Sequence, residues 1–321
     1  MESKKRLRLL LKKQNKRLNI IIMRIALVLF RRYLSMSFRT GFTFFQFNVI
    51  IEKIIYGKFS GKGKEDRMKT VRVRDVVIGE GMPKVCVPIV EIKRKDAVTF
   101  AENLKAGGAD IAEWRIDWFE EAYDISKVVE AAGCIRTALK EIPLVATFRT
   151  AGEGGEKEIS VQQYIDLNLA LIRSGYVDVI DVELFFDEEA AKILVEEAHR
   201  LGICVIASNH DFQKTPEKEE LFRRVKLMME LGADIPKIAV MPQNVEDVMV
   251  LLIATHEMSR YISDRPIITM SMSKEGVISR FSGEFFGSAL TFAAVGKESA
   301  PGQIDAASLK KMLSQIHDII S

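Results

Sequence analysis

The chain has 321 residues, of which 48% are hydrophobic, enough to bury one large domain plus an extension. A net charge of +3 hides two unlike segments: residues 1–67 hold 17 Lys+Arg against 4 Asp+Glu, leaving 30 against 40 in residues 68–321. The three cysteines, Cys86, Cys134 and Cys204, are odd in number and lack metal-ligand spacing. That excludes a disulfide framework and suits a reducing, cytoplasmic setting, with Cys86 and Cys204 acting as small hydrophobes in apolar runs.

Lys4 to Arg17 is a basic run, and the apolar stretch 20–30 is broken by Arg24 and closed by Arg31-Arg32. Eleven helical residues rise only ~16 Å, about half of a ~30 Å bilayer core, and Arg31-Arg32-Tyr33 is no signal-peptidase site. A basic surface anchor, a targeting segment and a nucleic-acid-binding tail all remain open, beside the plainer account that this is sequence upstream of the functional chain. Met68, after the charged run Gly61 to Arg67, is taken as the start of the domain. Residues 1–67 are expected to pack poorly and to take no part in catalysis.

From Met68 onward, short β-rich apolar runs recur: 85–90, 111–116, 144–148, 177–182, 204–208, 237–241, 267–270 and 289–295. Several show little alternation, as parallel strands buried on both faces do. Between them, 161–174, 188–201, 216–231 and 245–263 carry helical periodicity, and Ser174-Gly175 and Leu201-Gly202 supply helix stops. Eight rounds of strand and helix are the pattern of a (β/α)8 barrel. An open doubly wound sheet would show a glycine-rich phosphate turn after an early strand, and neither GxGxxG nor GxxxxGK[ST] occurs.

Barrel chemistry sits at the C-terminal ends of the strands. Those positions hold Glu113-Trp114-Arg115-Ile116-Asp117, then Thr147-Phe148-Arg149 with Glu153-Gly154-Gly155, Asp181-Val182-Glu183 and Ser208-Asn209-His210-Asp211. Lys237 follows on the sixth strand, Met270-Ser271-Met272 and Arg280 come after it, and Ser299 to Gln303 lie beyond the eighth. Lys237 is the most informative. Burial lowers a lysine pKa, and a neutral amine in a closed pocket forms a Schiff base with a ketone. Plainer readings stand beside these. Lys237 could snorkel from a strand edge, Glu113 could pair with Arg115, Arg149 could bridge to Glu153, and Met270 and Met272 could be core. His210 is the one histidine of four at a strand end, whereas His199, His256 and His317 fall in helical segments as surface or packing residues.

Taken together, these motifs, with Asp234-Ile235-Pro236-Lys237-Ile238-Ala239, Ser279-Arg280 and Ser299-Ala300-Pro301-Gly302-Gln303, resemble the type I 3-dehydroquinate dehydratases of the shikimate pathway. The resemblance spans residues 68–321 in order and does not reach the extension. It implies syn elimination of water from 3-dehydroquinate to give 3-dehydroshikimate through an imine on a lysine. Lys237 would be the nucleophile, kept neutral by burial and by its cationic neighbours Arg115 and Arg149. His210, near its ordinary pKa, would serve as general base and acid, with Glu153 holding the imidazole. Arg280 would clamp the substrate carboxylate. Glu113, Arg115 and Arg149 would meet its hydroxyls, Met270 its hydrocarbon part, and Ser299 and Gln303 would close over it. No metal or organic cofactor is implied, because the iminium is the electron sink. The partners implied are the small substrate and a second copy in a homodimer. Nucleic acid is not expected, and membrane contact is confined to the extension if it occurs at all.

Two competitors are weighed against this. A Schiff-base aldolase acting on a phosphorylated sugar would need a phosphate site near the last strands, for which Ser282-Gly283-Glu284 and Gly302 are weak candidates. A binding protein that uses the basic tail would leave the strand-end residues unexplained; loss of salt-dependent DNA retention on starting the chain at Met68 would separate it.

Overall fold

Along the third strand, Lys84–Ile89, successive side chains point to opposite faces. Val85, Val87 and Ile89 pack outward against helices, and Cys86 turns inward with apolar residues from the other strands. This two-sided burial explains why the run reads as continuously hydrophobic. In the computed structural model of the chain, residues 70–296 and 299–321 are described. The extension 1–67 and the expected start at Met68 lie outside them.

A hairpin of β1 (Val71–Val73) and β2 (Val76–Ile78) precedes the repeating units. Then come β3 (Lys84–Ile89), α1 (Arg94–Asn103), β4 (Ile111–Arg115), α2 (Ile125–Leu139), β5 (Leu144–Thr147) and α3 (Val161–Ser174). Next are β6 (Val179–Glu183), α4 (Glu188–Arg200), β7 (Cys204–Asp211), α5 (Lys218–Leu231), β8 (Ile235–Val240) and α6 (Val245–Glu257). The chain ends with β9 (Ile268–Ser271), the short α7 (Ile278–Phe281) and α8 (Gly283–Phe286), β10 (Leu290–Ala294), β11 (Ile304–Asp305) and α9 (Ala306–Ile320). Strands β3 to β9 pair in sequence order, all parallel, and β10 returns to pair with β3. The ring closes between β9 and β10 through a parallel bridge of Ile267 with Ser288, where Ala289 N–H donates to the Ile267 carbonyl at 2.9 Å. The fold is the expected (β/α)8 barrel.

Helix starts and stops follow local chemistry. Ser160 and Gln163 form a capping box at α3, and Gly175 ends that helix in the left-handed region at φ 72°. The run 245–263 is not one α-helix: α6 stops at Glu257 and Met258–Ile262 continue as a π-turn, with Ser263 N–H reaching back to the Met258 carbonyl. The hairpin and the helices α1, α2 and α9 were not singled out from the sequence. The hairpin strands are three residues each, too short for any period to register.

At the N-terminal end of the barrel one inward residue per strand forms an apolar floor: Cys86, Ile111, Val145, Val179, Ile206, Ile235, Ile268 and Leu290. Val73 and Ile78 of the hairpin join it from below. On alternate strands an aspartate caps the neighbouring chain. Asp110 accepts Val85 N–H at 2.9 Å, Asp178 accepts Leu144 N–H at 2.8 Å and Asp234 accepts Val205 N–H at 2.8 Å. Each also meets a basic side chain: Lys310 for Asp110, Arg74 and Arg136 for Asp178, and His199 for Asp234.

Candidate active site

Two residues beyond each floor position, one pleat up the strands, the inward side chains change character. From β4 to β10 they are Glu113, Thr147, Asp181, Ser208, Lys237, Met270 and Phe292. Of these, Glu113, Lys237, Met270 and Phe292 line a pocket of about 460 Å³, open solvent included, at the C-terminal mouth. All ten side chains named as site candidates, namely Glu113, Arg115, Arg149, Glu153, His210, Lys237, Met270, Arg280, Ser299 and Gln303, line that pocket.

Lys237 is 3% exposed. Its Nζ donates to Asp181 Oδ2 at 3.0 Å and lies 3.5 Å from Glu113 Oε1. The charged groups nearest the amine are thus carboxylates, where the cationic neighbours Arg115 and Arg149 were expected. Arg149 stands on the far side of Asp181, donating to Asp181 Oδ1 at 2.9 Å, to Glu183 Oε1 at 2.7 Å and to Ser208 Oγ at 3.0 Å. Burial alone would raise the Asp181 carboxyl, but Arg149 and Lys237 outweigh it and hold the group at about 2. Asp181 thus lies between Arg149 and Lys237. The bridge from Arg149 to Glu153, at 3.7 Å, is the longest of its three carboxylate contacts. Arg115 pairs with Asp117 at 2.7 Å rather than with Glu113, whose Oε1 accepts from Thr147 Oγ1 at 3.0 Å.

His210 faces Glu153. Its ring Nδ1 lies 2.8 Å from Glu153 Oε2, and its backbone N–H donates to the same oxygen at 2.9 Å. Asn209 Nδ2 donates to Oε1 at 2.9 Å, so the carboxyl group is fixed at both oxygens. Burial, then the charges of Arg149 and Lys237, hold His210 well below the ordinary imidazole range, which revises the expectation of a value near 6.5. Burial, then Glu183, pushes Glu153 up to about 8. Both effects favour an uncharged imidazole with one proton shared toward Glu153, leaving Nε2 for a ligand. The loop that brings Glu153 here depends on two glycines. A Cβ on Gly155 would lie 1.9 Å from the Arg149 carbonyl oxygen, and one on Gly154, at φ 83°, would lie 2.3 Å from the Phe212 ring.

Across the pocket Arg280 is almost fully buried, its guanidinium donating to the Pro301 carbonyl at 2.8 Å and the Phe292 carbonyl at 3.3 Å. Ser299 and Gln303 brace one another: Ser299 N–H donates to Gln303 Oε1 at 2.9 Å, and Gln303 Nε2 to Ser299 Oγ at 3.0 Å. Met270 and Met272 present side chains to the same space. The weak phosphate candidates Ser282, Gly283 and Glu284 do not line it. Gly283 is packed against Pro83 and the Ser288 carbonyl, and Glu284 Oε1 meets His317 Nδ1 at 2.6 Å. Phe212 and Ala239, which stand in the family motifs without an assigned role, also line the pocket, as does Phe292, which no motif includes. Asp181 and Ser208, though read as strand-end residues, were given no part.

Residues 85–320 match the model of the type I 3-dehydroquinase family. The chain belongs to that family. Among its relatives are 3-dehydroquinate dehydratases of Bacillus licheniformis and Salmonella typhimurium, each 53% identical over 78% of this chain and 98% and 99% of theirs. The crystal structure of type I 3-dehydroquinate dehydratase from Clostridium difficile with covalent modified comenic acid superposes with a TM-score of 0.77 at 51% identity. It covers 79% of this chain and 100% of that one. Among the described residues no helix is long and apolar enough to cross a membrane.

Proposed function

We propose that this chain is a 3-dehydroquinate dehydratase, a hydro-lyase that removes water from 3-dehydroquinate to give 3-dehydroshikimate through an imine on Lys237. One observation carries the reading. A buried lysine amine at the base of the pocket shares it with a histidine braced by Glu153 and with a buried arginine on the opposite wall.

Lys237 attacks as the free amine, with Asp181 and Glu113 beside its nitrogen to take up a proton. The freed lone pair adds to the C3 ketone carbon. The carbinolamine then loses its hydroxyl as water, aided by a proton from His210, and the nitrogen lone pair forms the C=N bond. The iminium withdraws electrons from the adjacent C2–H bond. With Nδ1 turned to Glu153, His210 Nε2 takes the C2 proton and returns it to the C1 hydroxyl, which departs as water. Hydrolysis of the conjugated imine restores the amine. Arg280 would hold the ring carboxylate with a guanidinium edge fixed by the Pro301 and Phe292 carbonyls. Glu113, Arg115, Arg149 and Gln303 would meet the hydroxyl groups.

The family match over residues 85–320 supports a catalytic domain from Met68 onward that does not draw on the extension. A homodimer is supported by the exposed apolar row Val245, Met249 and Ile253, which share one face of α6. The described free thiols are in keeping with the cytoplasm. Borohydride added with product should leave a stable adduct on the peptide carrying Lys237, read by mass spectrometry. Lys237→Ala should give no adduct and lose roughly 10⁴-fold or more in turnover; appreciable turnover in that variant would end the proposal.

A further inference from the structure

Among the described residues three side chains meet the Lys237 nitrogen, and only two of them have been given a reason to be there. Asp181 and Glu113 contact it as carboxylates at 3.0 and 3.5 Å. The third is Phe292 on β10, whose ring centroid lies 4.5 Å from Nζ. The ring is 5% exposed and lines the pocket, and the backbone carbonyl of the same residue accepts from Arg280 at 3.3 Å. One residue therefore meets both the nitrogen at the base and the guanidinium on the wall.

The ring differs from the carboxylates in what it requires of the nitrogen. An ammonium carries three N–H bonds, whereas an iminium nitrogen carries one. After the C=N bond forms, Asp181 and Glu113 must compete for a single N–H. The negative face of an aromatic ring attracts the charge itself and needs no N–H. Its attraction survives the change from ammonium to iminium, and it offers neither a lone pair nor a base to the reacting centre.

We propose that Phe292 is a positioning residue for the covalent step, its ring face holding the positive charge of the Lys237 nitrogen in both the resting and the imine-bound enzyme. This rests on the imine reading of the site. The other ionisable groups facing the nitrogen are Asp181 on β6, Glu113 on β4, His210 on β7 and the Cys86 thiol on β3, with Arg149 behind Asp181. All are left in place by a change confined to the ring.

The test replaces Phe292 in the full chain with mono-, di- and trifluorophenylalanine, which drain the ring face while nearly preserving shape. Two profiles are read against pH: competitive acetylation of Lys237 by acetic anhydride, and the borohydride-trapped fraction with product present. The acetylation midpoint should move stepwise to lower pH, by roughly half to one unit across the series. The trapped fraction should fall on the alkaline side, where imine formation must take up a proton. It should hold on the acid side, where free amine and imine both carry the charge. Phe292→Leu should displace the midpoint at least as far as the trifluoro ring, and if it does not fold the fluorinated series decides alone. Midpoints indifferent to fluorination would overturn the role of the ring. If the unaltered chain traps no adduct at any pH, the imine reading fails instead, and the acetylation series still decides whether ring and amine interact.

Discussion

The mouth and the floor of the barrel are built on the same strands, two residues apart, and differ in almost every physical respect. The floor layer, from Cys86 through Leu290, is apolar and plugged by the hairpin residues Val73 and Ile78. One pleat higher lie Glu113, Asp181 and Lys237, all at most 3% exposed, together with the Arg149 guanidinium. Burying a charge is costly unless it is paired and hydrogen-bonded. The mouth meets that cost by linking its charges: Asp181 takes hydrogen bonds from Arg149, Ser208 and Lys237 at once. Hydrophobic contact holds the floor, so its residues are expected to govern stability and to be indifferent to chemistry. A linked set of charges holds the mouth, so its residues are expected to govern turnover and its dependence on pH.

The sharpest way to break this contrast is His210→Ala. Loss of a general acid and base should lower turnover by roughly 10² to 10⁴, while some borohydride adduct on Lys237 still forms, because the amine is untouched. Steady-state rates and intact-mass trapping on one preparation check both halves. Turnover within a few-fold of the parent would remove His210 from the proton path.

Glu153→Gln probes the same pair through pH. The folded value of Glu153, pushed up to about 8, lies above that of an unfolded glutamate. The contribution of the protonated group is therefore fully present at low pH and is lost as pH rises toward about 8. Relative to the glutamine variant, the parent should lose stability across that window with a slope of up to ~1.4 kcal/mol per pH unit. Denaturant midpoints at stepped pH measure it. Parallel curves for the two proteins would mean that Glu153 is ionised throughout the window.

How much of this contrast was open to reading beforehand depended on whether a signal was local. Lys237, His210 and Glu153 stand in short motifs at strand ends, so both their type and their place could be read once eight strands were counted. The partners of Arg149 could not. Glu153, four residues on, is the obvious candidate in the sequence, yet the principal partners are Asp181 and Glu183, more than thirty residues away on the neighbouring strand. The parallel register that sets Thr147 beside Asp181 creates that pairing. Phe292 was hidden for a different reason. It is one aromatic residue in an apolar strand, and it meets Lys237 only because the sheet closes into a ring. The carboxylate beside Lys237 was hidden in the same way, since Asp181 comes from a different strand and contacts both Lys237 and Arg149.

Arg280→Ala tests whether the buried arginine on the far wall binds rather than reacts. Charge-assisted hydrogen bonds of the kind it would make to a carboxylate are worth about 1.5–3 kcal/mol. The Michaelis constant should therefore rise roughly 10- to 150-fold, with a smaller change in kcat. A decarboxylated or amide analogue should discriminate little between the parent and the variant. If kcat falls and KM does not rise, Arg280 acts on the reacting centre and the carboxylate clamp is wrong.

The smallest expected effect belongs to the floor and is the one that makes the contrast quantitative. Ile206 lies two residues before Ser208 on β7, buried among the inward side chains and 2% exposed. Ile206→Val deletes one methyl group and should cost about 0.5–1.5 kcal/mol of stability. Because packed interiors transmit strain, a null result for catalysis cannot be assumed. Ser208 holds both Arg149 and Asp181, and Asp181 holds the amine. If the two layers are independent, kcat, KM and the pH profile should match the parent while the denaturant midpoint falls. If kcat falls with the midpoint, the apolar floor is part of what positions Asp181, and the boundary between the layers lies below Ile206 rather than above it.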